Sequence, residues 1–164
     1  MTDIRNSILA GLAFGLLFGL FLAVWADINY ALIAGPISGL AFGIAGYFFV
    51  TSKTVNRQTQ IKTADGETII YSGRANHFLN GIAVGGKLYL LNDKLQFQSH
   101  SFNLQNEGLV IDLKQIQKVT FYNILGLIPT GLAISTTDGR TENFVVGGRR
   151  LWKQEIEKLK ADIK

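Results

Sequence analysis

Few residues in this sequence are suited to chemistry. His77 and His100 are the only histidines, and the chain has no cysteine. The two histidines and Asp112 lack the short spacing of zinc ligands, so the sequence predicts no metal site. We expect each imidazole to hydrogen-bond a loop backbone instead. Asp138 and Glu142 belong to a predicted hairpin and its strand, which favours turn chemistry and a solvated face over an acid–base pair.

The motifs of common enzyme classes are missing from the sequence. It has no P-loop, no Gly-x-Gly-x-x-Gly dinucleotide fingerprint and no Gly-x-Ser-x-Gly nucleophile elbow. The lack of cysteine also excludes disulfides and thiolate nucleophiles. The sequence therefore predicts a non-catalytic protein that needs no cofactor.

The best candidates for binding an anion are three basic residues, Arg149, Arg150 and Lys153, at the start of the last predicted helix. The planar guanidinium group of arginine matches phosphate oxygens well. Each cation near an anionic leaflet contributes about 1 kcal/mol, which orients a tethered domain more than it anchors one. Anionic phospholipid is therefore a candidate partner. Nucleic acid is not expected, because no aromatic cluster accompanies the basic residues.

A polar loop, Ser99 to Asn106, carries hydroxyl, imidazole and amide side chains in quick succession. Such side chains can contact a ligand, and they also stabilise turns by bonding to nearby backbone groups. The sequence favours the turn-making role and leaves the ligand-binding role open.

The first fifty residues determine where these groups act. Residues 8–25 and 30–50 are uncharged apolar runs, each close to the roughly 20 residues that a helix needs to cross a bilayer. Only residues 26–29 separate them, so the sequence predicts an antiparallel transmembrane hairpin over residues 1–50. A signal peptide cleaved near Ala26 is the alternative. Its apolar core would be unusually long, and a second span follows at once.

Basic residues flanking the spans predict the orientation of the hairpin. Arg5 precedes the first span, and Lys53, Arg57 and Lys62 follow the second, whereas the connecting turn carries only Asp27. Because basic flanks stay inside, both termini and everything after residue 50 are expected on the cytoplasmic side of the cell membrane.

Glycines recur at every fourth residue in both spans, and this spacing places them along one face of each helix. They are Gly11, Gly15 and Gly19 in the first span and Gly35, Gly39 and Gly43 in the second. Small residues let helix backbones approach closely. The favoured interpretation is that the two stripes close the hairpin. The alternative is a glycine zipper that assembles hairpins into a homo-oligomer or channel.

The rest of the chain is predicted to be an α+β domain over residues 67–164, joined by a polar segment, 51–66, that is either a linker or a short helix. β-forming residues and period-two alternation predict about seven antiparallel strands. The predicted strand segments are 68–71, 87–91, 95–98, 109–113, 119–122, 132–135 and 142–146. Trp152, Ile156, Leu159 and Ile163 then form one apolar stripe on a helix, preceded by a break at Gly147 and Gly148. These elements predict a small barrel or sandwich that is capped by this helix.

Residues 67–160 resemble the bacterial GRAM-domain proteins. The resemblance is carried by 73–78, 85–90, 95–100, 102–106 and 144–146 with Arg149 and Trp152. It implies the pleckstrin-homology-like superfold, in which two near-orthogonal antiparallel sheets are closed by a C-terminal helix. It also implies binding of membrane lipids or proteins without catalysis, and it supplies no head-group residues for this chain.

The sequence thus predicts a membrane-anchored, non-catalytic adaptor. Its domain would recognise a membrane-protein partner or anionic lipid head groups at the cytoplasmic face. A homo-oligomeric scaffold or channel built from the hairpin is the alternative function.

Overall fold

A computed structural model describes residues 2–79, 81–103 and 108–163, except for the side chains of Thr2 and Leu79. The end of the predicted polar loop, residues 104–106, therefore lies outside the described residues. The chain divides into two compact units, Met1–Asn56 and Arg57–Lys164.

The first unit contains two long helices, α1 (Thr2–Trp25) and α2 (Ile28–Thr51), which form the predicted hairpin. Both are long and apolar enough to cross a membrane. Asp27 is the N-cap residue of α2. Its Oδ1 accepts hydrogen bonds from the backbone N–H groups of Asn29 (2.8 Å) and Tyr30 (3.2 Å). An aspartate at this position satisfies N–H groups that a helix start otherwise leaves unpaired. The turn is thus fixed by a helix cap.

Close backbone packing joins the two helices. A Cβ atom added to Gly11 would lie 2.6 Å from the carbonyl oxygen of Gly39, and one added to Gly15 would lie 2.9 Å from that of Gly35. Real Cβ atoms do not approach other atoms so closely, so larger residues at these positions would force the helices apart. The two glycine stripes therefore face each other within one hairpin.

The polar segment that follows is partly helical, since α3 covers Lys53–Gln58. Two hydrogen bonds within the second unit hold the residues at its end against the sheet domain. The Tyr89 hydroxyl donates to the Thr59 carbonyl oxygen at 2.8 Å, and the Ser101 backbone N–H donates to Gln58 Oε1 at 3.1 Å. Residues 58–59 are thus bound to the domain itself.

The second unit is a single antiparallel sheet of seven strands followed by a helix. The strands are β1 (Ile69–Leu79), β2 (Ile82–Leu91), β3 (Lys94–Ser99), β4 (Gly108–Asp112), β5 (Ile116–Ile124), β6 (Ile128–Thr136) and β7 (Thr141–Val146). A short 3-10 helix covers Leu113–Gln115, and α4 covers Arg149–Asp162. The strand order β4-β3-β2-β1-β7-β6-β5 makes β1 the strand shared by the two halves of the curled sheet. The predicted pleckstrin-homology-like fold class is confirmed.

Helix α4 contributes two side chains to the buried core of the sheet. Trp152 and Ile156 are fully buried, and Leu159 and Ile163 pack against the same core, as the predicted stripe requires. The Trp152 ring meets the Tyr71 ring edge-on at 4.6 Å. Gly148 begins the helix with a φ of +67°, a conformation that glycine adopts without strain. The predicted break before α4 is confirmed.

Strand β1 runs further than predicted and changes the interpretation of one histidine. Its residues 75–78 pair with β2 on one side and β7 on the other, so His77 lies inside a central strand rather than in a loop. The imidazole ring of His77 is buried and stacks on the Phe144 ring, and its Nε2 lies 2.8 Å from Glu142 Oε2. The loop-capping role predicted for His77 and the solvated face predicted for Glu142 are both wrong. Burial requires a charged or polar group to have a partner, and these two partner each other.

Candidate functional site

The three predicted basic residues lie at the start of α4, beside the end of β5. Arg149 Nη1 donates to the Tyr122 carbonyl oxygen (2.6 Å) and to Asn123 Oδ1 (3.2 Å), and its guanidinium lies 4.9 Å from the centre of the Phe121 ring. These bonds use one of the three guanidinium nitrogens. Arg149 is therefore partly a structural residue that joins α4 to β5, with nitrogens remaining for an anion.

The other two basic residues are placed differently. Lys153 Nζ lies 5.4 Å from the centre of the same Phe121 ring and 3.5 Å from Glu157 Oε1, one helical turn further along. Arg150 is exposed. A cation over an aromatic face is held by the ring's electron density. The structure thus brings Arg149 and Lys153 together on Phe121, with Arg150 next to them in sequence.

An apolar turn lies beside this basic cluster, and the sequence analysis missed it. We call residues 125–128 the β5–β6 tip. Leu125 is 88% exposed and Leu127 83% exposed, and Ile128 is exposed as well. The tip adjoins the basic cluster because Arg149 bonds to Tyr122 and Asn123, at the end of the same strand. Exposed apolar side chains next to cations match the interface between lipid head groups and acyl chains.

The backbone of the β5–β6 tip contains a tight β-turn over residues 124–127. The Leu127 N–H donates to the Ile124 carbonyl oxygen at 3.1 Å, and both residues between them have positive φ, Leu125 at +51° and Gly126 at +73°. Such turns favour Asn-Gly or Asp-Gly. Leucine in this conformation is strained by about 1 kcal/mol or more. A Gly between two β-forming runs was the available sequence signal, but Ile-Leu-Gly-Leu-Ile also resembles a buried strand.

The opposite end of β6 carries the hairpin that the sequence predicted from Asp138-Gly139. The Asp138 carboxylate accepts hydrogen bonds from the Thr136 hydroxyl and from Arg140 Nε, the latter at 2.7 Å. These bonds, with one from the Arg140 backbone N–H, lower the pKa of Asp138 to about 2. Its predicted role in the turn is confirmed.

The described part of the polar loop, residues 99–103, is held by Asn103. Its amide group bonds both backbone groups of Gly85, accepting from the N–H at 3.0 Å and donating to the carbonyl oxygen at 2.7 Å. A second bond runs from Asn103 Nδ2 to the His100 carbonyl oxygen at 2.8 Å. Burial lowers the pKa of His100. Asn103 thus takes the turn-making role that the sequence favoured.

Within residues 2–79, 81–103 and 108–163, no three histidine, aspartate or glutamate side chains come together in a way that could hold a metal ion. The hairpin carries an apolar groove of about 860 Å³. Glycines lie along it, and its rims include Leu12 and Leu16 of α1 and Pro36 and Leu40 of α2. Nothing ionisable except the Tyr47 hydroxyl lines this groove, which suits acyl chains or another apolar helix.

Solved structures share the fold of the chain. The C-terminal domain of an unknown protein from Leishmania infantum aligns with a TM-score of 0.52 and 16% identity, over 69% of this chain and 96% of that one. A pleckstrin homology domain solved in solution aligns with a TM-score of 0.43 and 19% identity, over 58% of this chain and 88% of that one. The Slm1 pleckstrin homology domain in complex with inositol-4-phosphate aligns with a TM-score of 0.42 and 13% identity, over 57% and 95%.

These likenesses concern the fold alone. No protein-family model and no curated protein matches the sequence. The pleckstrin-homology-like assignment therefore stands on the strand order and the C-terminal helix described above. Membership of the GRAM group stays a resemblance.

Proposed function

We propose that the chain is a membrane-anchored, non-catalytic binding module. Its hairpin, residues 1–50, would cross the cell membrane, and residues 67–164 would form the binding domain. The observation that carries this proposal is the outward face of the hairpin. Leu12, Leu16 and Leu17 are about two-thirds exposed, although burying a leucine side chain is worth about 1.5–3 kcal/mol. A surface with many such residues is stable in lipid and costly in water.

The orientation follows from the charges at the ends of the helices. Arg5 and Lys53 flank the spans on one side, while the short turn at Asp27 and Asn29 has no cation. Basic flanks favour the cytoplasmic side, so the domain would lie at the inner face of the membrane. A domain tethered there has a high effective concentration at the surface, and weak affinity for a lipid or membrane protein is then sufficient.

Two kinds of partner suit the domain, namely anionic lipid head groups and another membrane protein. The cluster of Arg149, Arg150 and Lys153 supports the lipid, because cations at an exposed helix start attract phosphate. The GRAM resemblance supports both, and neither partner needs catalysis.

Alkaline extraction of membranes tests the anchor. The full chain should stay with the lipid after extraction, whereas a soluble protein or one trimmed near Ala26 would be released. A thiol-reactive reagent that cannot cross membranes tests the orientation, since the natural chain has no cysteine. In intact cells it should label Asn29→Cys and should leave Thr137→Cys unlabelled until the cells are opened. The reverse pattern would place the domain outside.

Affinity purification of the full chain from native membranes identifies the partner class. Analysis of both lipids and proteins in the purified material should find an enriched anionic phospholipid or a stoichiometric membrane protein. Recovery of the chain with bulk lipid alone would contradict the binding role while leaving the anchor intact.

The hairpin as a homo-oligomeric scaffold is the second candidate, and the apolar groove favours it. Because the six glycines face each other inside one hairpin, the groove rim is the surface left for another copy. A single Leu16→Cys would then form disulfide-linked dimers in membranes, and Val24→Cys near the helix end would not. Monomer in both cases would remove this candidate.

A further inference from the structure

We infer that the β5–β6 tip is a second membrane contact. Its apolar side chains would enter the interfacial region of an anionic leaflet, while the basic cluster faces the lipid phosphates. This inference rests on the proposed function, because it takes the domain to be held at a membrane surface. It adds the part of the domain that touches the lipid and the kind of lipid that it selects.

The exposure of the tip is the first support. Leu125 and Leu127 are the most exposed large apolar side chains in the described part of the chain, ahead even of Trp25 in the hairpin at 78%. They project beyond the end of a paired hairpin, since Ile124 and Ile128 are the last pair of the β5–β6 ladder. A projecting pair of leucines fits a soft apolar phase, and it contributes nothing to the core of its own domain.

The backbone at Leu125 is the second support. Its φ of +51° suits Asn, Asp or Gly, and leucine there strains the turn. Leu125 makes no compensating contact in the domain core. A residue that disfavours its own local fold while facing solvent is explained by an interaction outside the domain.

The distribution of charge around the tip favours an anionic bilayer as its partner. From Val119 to Thr137 the sequence has no charged residue, and the acidic residues of the β6–β7 hairpin are Asp138 and Glu142. Both lie at the far end of β6 or in β7 opposite it, away from the tip. Arg149 reaches Asn123, two residues before the tip, and Arg150 and Lys153 lie beside it in α4, where Glu157 is the ion-pair partner of Lys153. An uncharged apolar tip with a cationic border complements a leaflet with a hydrocarbon interior and negative head groups.

The geometry of Phe121 joins the two parts of this surface. The ring is exposed, and both Arg149 and Lys153 hold their cationic groups over it. Two cations therefore lie on one side of β5, and this strand leads into the tip. A bilayer that receives Leu125 would thus meet cations a few residues away, without rearrangement of the strand.

A fluorescent probe at the tip tests the inference in the full chain. The experiment uses Leu125→Cys labelled with an environment-sensitive fluorophore, and the matched control is Thr137→Cys at the other end of β6. Both proteins are reconstituted into vesicles of phosphatidylcholine, with and without phosphatidylserine. We expect a blue shift and quenching by nitroxide-labelled lipid at position 125 when phosphatidylserine is present. We expect neither at position 137.

Substitutions that preserve the fold sharpen the test. With the probe moved to Ile128→Cys, Leu125→Asn suits the positive φ and removes one leucine, so the insertion equilibrium should weaken by about tenfold or more. Arg150→Gln should weaken the response to phosphatidylserine by about fivefold, the loss of one cation near the leaflet. Lys158→Gln, an exposed residue further along the same helix, is the matched control and should have a smaller effect.

The outcomes separate this inference from the proposed function. If alkaline treatment releases the protein from the vesicles, the anchor itself is wrong. If the protein stays embedded but positions 125 and 137 are equally exposed to water, the tip inference is wrong and the anchor stands. Equal quenching in vesicles with and without phosphatidylserine would overturn the choice of an anionic leaflet. If position 125 is shielded from water only when another protein is crosslinked to it, the partner of the tip is a protein and not a lipid leaflet.

Discussion

In the hairpin, glycines lie inside and leucines lie outside; in the sheet domain, the large apolar residues lie inside. Gly11 and Gly39 are buried against each other, whereas Leu16 and Leu40 are exposed. In the domain the order is reversed, and Trp152 is among its largest fully buried side chains. Under the proposed function, each arrangement suits a different solvent. The outward leucines suit lipid, which gives helices no hydrophobic reason to associate and leaves close backbone packing to join them.

The β5–β6 tip follows the pattern of the hairpin although it belongs to the domain. The other turn of β6 shows the contrast, because Asp138 is bonded to Thr136 and Arg140 and the turn has the residues that its geometry prefers. One turn thus serves the fold alone, and the other exposes Leu125 at a cost to the fold. This difference between two turns of one strand is the reason for proposing that the tip contacts a membrane surface.

The largest expected effect is at the glycine seam. Gly39→Leu should separate the two helices, because even a Cβ atom there would lie 2.6 Å from the Gly11 carbonyl oxygen. The measurement is a short bifunctional crosslink between Phe14→Cys and Phe42→Cys, whose native rings are 4.5 Å apart. The crosslink should form in the otherwise unchanged chain and be lost with Gly39→Leu.

Gly46→Leu is the control for the seam, since a Cβ added at Gly46 would meet no atom within 4 Å beyond the adjacent backbone of its own helix. This variant should keep the crosslink. A crosslink that survives equally in both variants would show that the glycines do not form the seam.

The next largest effect is expected in the domain core. Trp152→Ala should lower the free energy of unfolding of the domain by about 3–5 kcal/mol, because the ring is fully buried and leaves a large cavity. Chemical denaturation of the full chain, followed by circular dichroism, measures the loss. Leu151→Ala, one residue away and exposed, should change it little. Similar losses in the two variants would contradict the placement of α4.

The pair of His77 and Glu142 should have an intermediate effect. Glu142→Gln should lower the free energy of unfolding by about 1–3 kcal/mol, because it weakens the partner of a buried imidazole. The same denaturation experiment measures it. Glu157→Gln, which removes the exposed partner of Lys153, should cost less than about 1 kcal/mol. If Glu142→Gln were the milder of the two, the pair would not support the core.

The smallest effect concerns acid stability at the β6–β7 turn. The pKa of Asp138 is about 2 in the folded chain and lies near 3.8 without its partners, so its carboxylate stabilises the fold above about pH 4. This contribution is lost as the pH falls from about 4 to about 2. Asp138→Asn should therefore be less stable than the natural chain at neutral pH and approach it at pH 2. If the difference in unfolding free energy between the two proteins stayed constant from pH 4 to pH 2, the lowered pKa of Asp138 would be contradicted.

Much of the fold was predictable because it depends on local pattern. Leu95 and Phe97 alternate with polar residues, and β3 forms there with both side chains buried. Trp152 and Ile156 have helical spacing and form the buried face of α4. β1 was harder to predict, because its polar and small residues pair with two neighbouring strands rather than showing an apolar period of their own. His77 is the clearest case.

The candidate site was only half predictable. The type and number of basic residues at 149, 150 and 153 are visible in the sequence, but their neighbours are not. The bond from Arg149 to Tyr122 joins residues 27 positions apart, and only the fold brings them together. The exposure of Leu125 could not be predicted either, because an apolar run between two strand signals is typical of a core.

Access of lipid and water to single positions of the hairpin tests the central claim most directly. A spin label is attached at Leu16→Cys or Leu40→Cys in the full chain embedded in vesicles, with Thr137→Cys in the domain for comparison. The account predicts frequent collisions with oxygen and few with a water-soluble nickel complex at positions 16 and 40, and the opposite at position 137. Equal access of the nickel complex to all three positions would show that the outward leucines do not face lipid, and would contradict the account.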